Sequence, residues 1–183
     1  MTRLLPAAVR AAVPWKNGGG VTREIAAWPP GADMAGFAWR VSLAEVGADG
    51  PFSAFPDVDR TLTLVEGAGM DLTVDGAPRL VDTRDVPQDF RGDVPTDCRL
   101  LDGPVVNLNV MWRRGGGRTA PHVAVVRGRL RLAATPALVV ALDGGTEVAG
   151  VTLGRYDAAL LTGTDTVLHA RGRTAVIGLT PPD

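Results

Sequence analysis

The run Arg60-Thr61-Leu62-Thr63-Leu64-Val65-Glu66-Gly67, followed at once by Met70-Asp71-Leu72-Thr73-Val74, carries the pattern that decides the fold. Apolar and polar residues alternate through it, the period-two signature of a strand with two unlike faces, and Gly67 supplies the turn between the runs. Comparable runs recur at 105–111, 123–132, 137–142 and 174–179. Nowhere do apolar residues return at i, i+3, i+4 and i+7 over the length of a helix. Residues 7–12 suit one helical turn, which Pro14 stops. The 23 glycines and 14 prolines are scattered between the runs, as turn punctuation rather than as a linker. Many short strands with frequent glycine turns predict an all-β sandwich or barrel.

The pattern repeats along the chain. The first half reads Leu64-Val65-Glu66-Gly67, a strand at 70–74, Phe90-Arg91-Gly92-Asp93, Cys98-Arg99-Leu100 and a strand at 106–111. The second reads Ala141-Leu142-Asp143-Gly144, a strand at 147–151, Leu161-Thr162-Gly163, Val167-Leu168-His169 and a strand at 175–179. This order resembles the cupin jelly roll, a β-barrel of two facing antiparallel sheets, and implies a duplicated, bicupin arrangement with little helix. Gly115-Gly116-Gly117 separates the halves, so the expected division is 1–114, which carries the motifs below, and 115–183.

The length of 183 residues allows one substantial core or two small ones. A composition 45% hydrophobic and 21% charged is that of a globular protein. With 19 basic and 20 acidic residues the chain has no electrostatic footprint for nucleic acid or an anionic membrane. No apolar run approaches the ~18 residues that span a bilayer. Pro6 and Arg10 interrupt the N-terminal apolar stretch before a signal-peptide core can form, so the expected location is the cytoplasm. Cys98 is the only cysteine, which excludes an intrachain disulfide and a cysteine-based zinc site. His122 and His169 are far apart and lack a partner at i+2 or i+4, so neither a metal nor a cofactor is expected. His169 reads as a structural strand residue, and His122, after Pro121, as a loop residue.

The segment Trp15-Lys16-Asn17-Gly18-Gly19-Gly20 stands out. Three consecutive glycines cost backbone entropy and let the main chain approach other groups closely. One reading is a mobile loop. The other is a nest of successive N–H groups that receives an anion, helped by Lys16 and Asn17; the spacing of a phosphate-binding loop is absent. In Phe37-Ala38-Trp39-Arg40-Val41-Ser42, Arg40 and Ser42 point opposite to Trp39 and Val41. An aromatic turn, Gly50-Pro51-Phe52-Ser53-Ala54-Phe55-Pro56, precedes Asp59-Arg60. Arg40 and Arg60 are either solvated strand ends, with Phe52 and Phe55 covering a sheet edge, or inward arginines that need a carboxylate from protein or ligand. Asn107 and Asn109 share one strand face, exposed or inward.

Taken together, Pro14 to Gly20 with Thr22 and Glu24, Trp39-Arg40-Val41-Ser42, Gly50 to Pro56 with Asp59-Arg60, Leu64 to Gly67, and Asn107-Leu108-Asn109-Val110-Met111 resemble the HutD/Ves family of the cupin superfamily. Beyond Arg118 only the strand pattern supports the likeness. The resemblance implies a bicupin, a link to histidine utilisation through the HutD branch, and an N-terminal pocket for a small carboxylate such as urocanate, formiminoglutamate or formylglutamate. The positions that match are Trp15, Lys16, Asn17, Gly18, Gly19, Gly20, Arg40, Phe52, Ser53 and Arg60. Two departures bear on the pocket: Asn107 stands where the pattern has an acid, and Asp57 where glycine follows Pro56. Cupins often pair through sheet edges, which leaves a homodimer open.

Three functions follow. The first is a non-catalytic binder of a small anionic metabolite that modulates amino-acid catabolism. The second is a metal-independent hydrolase or isomerase with Glu24, Asp59 or Glu66 as base and Lys16 or an arginine stabilising negative charge; Ser53 and Cys98 have no evident activating partner. The third is a structural or interaction module, which requires packed side chains, and no cavity, beside Arg40 and Arg60.

Overall fold

A computed structural model describes residues 1–115, 120–133, 136–163 and 165–179. These form strands throughout, apart from a single 3-10 turn at Ala7–Val9 that Arg10 closes. β1 (Thr2–Leu5) precedes it. Ten strands follow: β2 (Val13–Pro14), β3 (Gly20–Trp28), β4 (Trp39–Val46), β5 (Gly50–Pro51), β6 (Val58–Glu66), β7 (Met70–Val74), β8 (Ala77–Val81), β9 (Pro87–Arg91), β10 (Thr96–Leu100) and β11 (Val105–Arg113). The remainder comprises β12 (His122–Leu132), β13 (Ala137–Ala141), β14 (Thr146–Val148), β15 (Val151–Leu153), β16 (Ala158–Leu161) and β17 (Thr166–Gly178).

The chain divides into two compact units, Ala11–Gly116 and Met1–Arg10 with Gly117–Asp183. In the first, a six-stranded sheet β2-β3-β4-β11-β6-β9 and a four-stranded sheet β5-β10-β7-β8 form the jelly roll. In the second, a sheet runs β1-β16-β13-β17-β14-β15, and β12 joins β17. Pairings match across the two units: β6-β9 corresponds to β13-β16, β7-β8 to β14-β15, β11-β6 to β17-β13 and β4-β11 to β12-β17. The long β17 pairs with β14 through Leu168–Ala170 and with β13 through Thr174–Gly178, filling the places that β10 and β11 share in the first unit. The chain is therefore a duplicated cupin-like jelly roll.

Three local expectations need correction. Residues 1–10, placed with the N-terminal half from sequence, belong to the C-terminal unit because Thr2 to Leu5 pair with Leu161 to Ala158. Such long-range pairing leaves no local signal. The run 147–151 is not one strand: Ala149 and Gly150, both at positive φ, turn it into the β14-β15 hairpin. His122 is not in a loop but opens β12, opposite Gly178. Of the Gly115–Gly117 junction, Gly116 and Gly117 lie outside the described residues.

Candidate functional site

Strands β4, β11 and β6 lie side by side, and their register brings one polar face together. Asn109 stands between Ser42 and Leu62, and Met111 between Arg40 and Arg60. By the two-residue period, Arg40, Ser42 and Ala44, Asn107, Asn109 and Met111, and Arg60, Leu62 and Leu64 share that face. Toward one end, Leu62 and Leu64 pack with Met70, Leu72, Cys98 and Val105. Around Arg60 the barrel is instead hollow, with a cavity of about 600 Å³, a size typical of small-molecule sites.

Arg60 is the unusual residue. It is only 7% exposed, yet among the described residues no carboxylate pairs with it. Its Nε and Nη2 donate to Asn109 Oδ1 at 3.4 and 3.5 Å, the long end of the hydrogen-bond range. The Phe52, Phe90 and Phe55 rings stand 5.2, 5.3 and 5.9 Å from its guanidinium carbon. Aromatic faces attract a cation but do not replace an anion. Burial, with the Arg40 charge nearby, pulls the guanidinium down from 12.5 to about 10, so it stays charged at neutral pH. Gly92 makes room for its stem: a Cβ there would lie 3.2 Å from Arg60 Cγ.

Arg40 differs. Its Nε donates to Glu24 Oε2 at 2.8 Å, so its charge is already answered. Lys16, Arg40 and Arg60 all line the cavity, and among the described residues no acidic side chain does. Trp15 forms part of the wall, with its Nε1 donating to Thr22 Oγ1 at 2.8 Å and its ring meeting Phe52 edge-on at 5.8 Å. Asn17, Phe52 and Ser53 complete the expected residues that line it.

Gly18, Gly19 and Gly20 do not line the cavity, and the nest is not formed. The Gly18 N–H donates to the Trp15 carbonyl and the Gly19 N–H to Asn17 Oδ1, both at 3.0 Å. The Gly19 and Gly20 carbonyls in turn accept from Gly47 and Trp15 at 2.9 Å. The loop is a hydrogen-bonded turn with an asparagine anchor, a chemistry that Asn-x-Gly spacing foretells. Gly20 is required by crowding, since a Cβ would sit 2.6 Å from the Glu45 carbonyl oxygen.

Other candidates fall away from the cavity. Asp59 pairs with Arg114 at 2.5 Å, and neither Glu24, Asp59 nor Glu66 lines the hollow. Cys98 is buried, and burial pushes its thiol up to about 11, which removes the thiolate a nucleophile needs. Among the described residues no cluster of three or more His, Cys, Asp or Glu is placed to hold a metal. His122 and His169 are exposed. Asn107 and Asn109, open to either reading from sequence, face inward at 1% and 7% exposure. Met111 on the cavity wall and Phe90 in the core against Arg60 carried no signal, because an apolar residue on a strand looks alike whether it faces a core or a ligand cavity.

Comparison with known proteins places this architecture. The HutD family model matches residues 7–177. The chain belongs to the HutD family. A Pseudomonas putida relative, described as an uncharacterized 21.2 kDa protein in the hutC 3' region, is 34% identical over 178 residues, 91% of each chain. Protein Ves of Cronobacter sakazakii is 40% identical over 111 residues, 60% of each. The solved structure of HutD from Pseudomonas fluorescens SBW25 in a formate condition superposes with a TM-score of 0.88 at 34% identity, covering all of both chains. A cupin 2 conserved barrel domain protein from Leptotrichia buccalis, 12% identical with a TM-score of 0.60 over 92% of each chain, shares the fold alone.

Proposed function

We propose that this HutD-family chain is a non-catalytic binder of a small carboxylate metabolite that modulates histidine utilisation. The observation that carries the reading is Arg60: among the described residues, it is a buried, charged guanidinium without a carboxylate partner, in a cavity lined by three cations and no acid. An unpaired buried charge is costly, and a planar fork among aromatic walls suits a carboxylate. The binder is expected in the cytoplasm, with neither nucleic acid nor membrane as partner. The hollow beside Arg60 speaks against a purely structural module.

Calorimetry with urocanate, formiminoglutamate and formylglutamate tests this directly. At least one should bind the wild-type protein, and Arg60→Ala should weaken it by about 2–4 kcal/mol, the scale of a lost desolvated charge contact. Undiminished binding by Arg60→Ala, or turnover of a bound acid by EDTA-treated protein, would overturn it.

A further inference from the structure

Lys16 is the only lysine among the chain's 19 basic residues; all the others are arginine. It is exposed, it lines the cavity, and it makes no ion pair among the described residues. With Arg40 held by Glu24, the cavity keeps two cations without a counter-charge among the described residues: Arg60, buried, and Lys16, open to solvent. One carboxylate on Arg60 leaves the second cation unanswered.

The residue type fits a second contact rather than a second anchor. A guanidinium at position 16 would be drawn onto the neighbouring Trp15 and Phe52 rings, since arginine is weakly hydrated and stacks on aromatic faces. An ammonium is compact and strongly hydrated, and its flexible stem can swing over the mouth. Building on the carboxylate reading above, we propose that Lys16 is the specificity-determining residue of the cavity. Its ammonium engages a second anionic group on a ligand whose first carboxylate rests on Arg60, so dianions are preferred over monoanions of the same shape.

An isosteric pair tests this: N-formylglutamate has two carboxylates, and N-formylglutamine replaces the outer one by an amide. In calorimetry on the full chain, the wild type should bind formylglutamate about fivefold more tightly, the upper range for one solvent-exposed charge pair. The preference should shrink as salt is added. Lys16→Met should erase it, the loss falling on formylglutamate far more than on formylglutamine, whereas Arg60→Ala should weaken both ligands. Equal affinity of the wild type for both, or a preference that survives in Lys16→Met, would overturn the role of Lys16 and leave the carboxylate reading standing. A wild type that binds neither compound would overturn the carboxylate reading itself.

Discussion

The two jelly rolls share a strand plan but treat their inner polar groups in opposite ways. Matching registers set Arg60, between Met111 and Phe90, against Ala137, between Gly178 and Leu161. Asn107 corresponds to Thr174 and Asn109 to Val176, while Ser42 corresponds to Ala124. In the C-terminal unit the buried hydroxyls of Thr146 and Thr174 meet at 2.6 Å among Val139, Ala141, Leu168 and other apolar neighbours. On the cavity face of the N-terminal unit Ser42 Oγ and Asn107 Oδ1 have no hydrogen-bond partner among the described residues, and no described carboxylate pairs with Arg60. One repeat spends its interior on stability. The other leaves polar groups without partners beside Arg60, and the proposed binding function rests on that contrast.

The largest effect should come from making the first interior resemble the second. Arg60→Met removes a buried charge that no described carboxylate compensates, so carboxylate binding should fall by about 2–4 kcal/mol. The melting temperature of the free protein should nevertheless hold or rise, as thermal unfolding with and without formylglutamate would show. A clear drop in the free protein's stability would mean that Arg60 is already satisfied.

Next comes the pair that should behave oppositely. Thr146→Val or Thr174→Val alone orphans a buried hydroxyl and should cost about 1–3 kcal/mol, whereas the double variant should return close to wild type. Urea unfolding of the four proteins gives the coupling energy. Ser42→Ala, by contrast, removes a hydroxyl with no partner and should change stability by no more than about 0.5 kcal/mol, or improve it. A loss above about 1 kcal/mol there would undo the contrast.

Acid and base should also separate the units. Hydrogen bonds from Arg173 hold the Asp143 carboxyl at about 2, below its usual 3.8. The folded state thus favours the carboxylate; the resulting stability is complete above the ordinary value and is lost as pH falls through about 2. Acid unfolding of Asp143→Asn should lack that component, a small effect because the side chains are partly solvated. Arg60 acts at the other end of the scale. On the proposed reading its charged form binds the anion, so affinity should be level through neutrality, since no histidine among the described residues lines the cavity, and fall as pH rises through about 10.

Much of this contrast is legible in the order of residues alone. Alternation in 60–65 and the wholly apolar run 137–142, with a glycine turn after each, mark the repeat, and Arg40, Arg60, Asn107 and Asn109 each sit at alternate positions of an apolar strand. Alternation does not tell which face holds the cavity. Val41, Leu43, Leu108 and Val110 on the opposite face are buried as well, so neither face is solvent and polarity alone does not choose between them. The glycine run misleads for a different reason: Asn17 and local carbonyls occupy the N–H groups that a nest would offer. Phe90 gains its meaning only from pairing opposite Arg60 across β6 and β9.

Arg60 holds the anion or it does not, and its side chain can be watched directly. Nuclear magnetic resonance of the Arg60 Nε–H, assigned by its loss in Arg60→Met, should show a resonance that shifts and saturates as formylglutamate is added. Exchange with solvent should slow as the guanidinium gains its missing partner. An Arg60 resonance that stays unmoved while the acid binds elsewhere would contradict the role given to this residue.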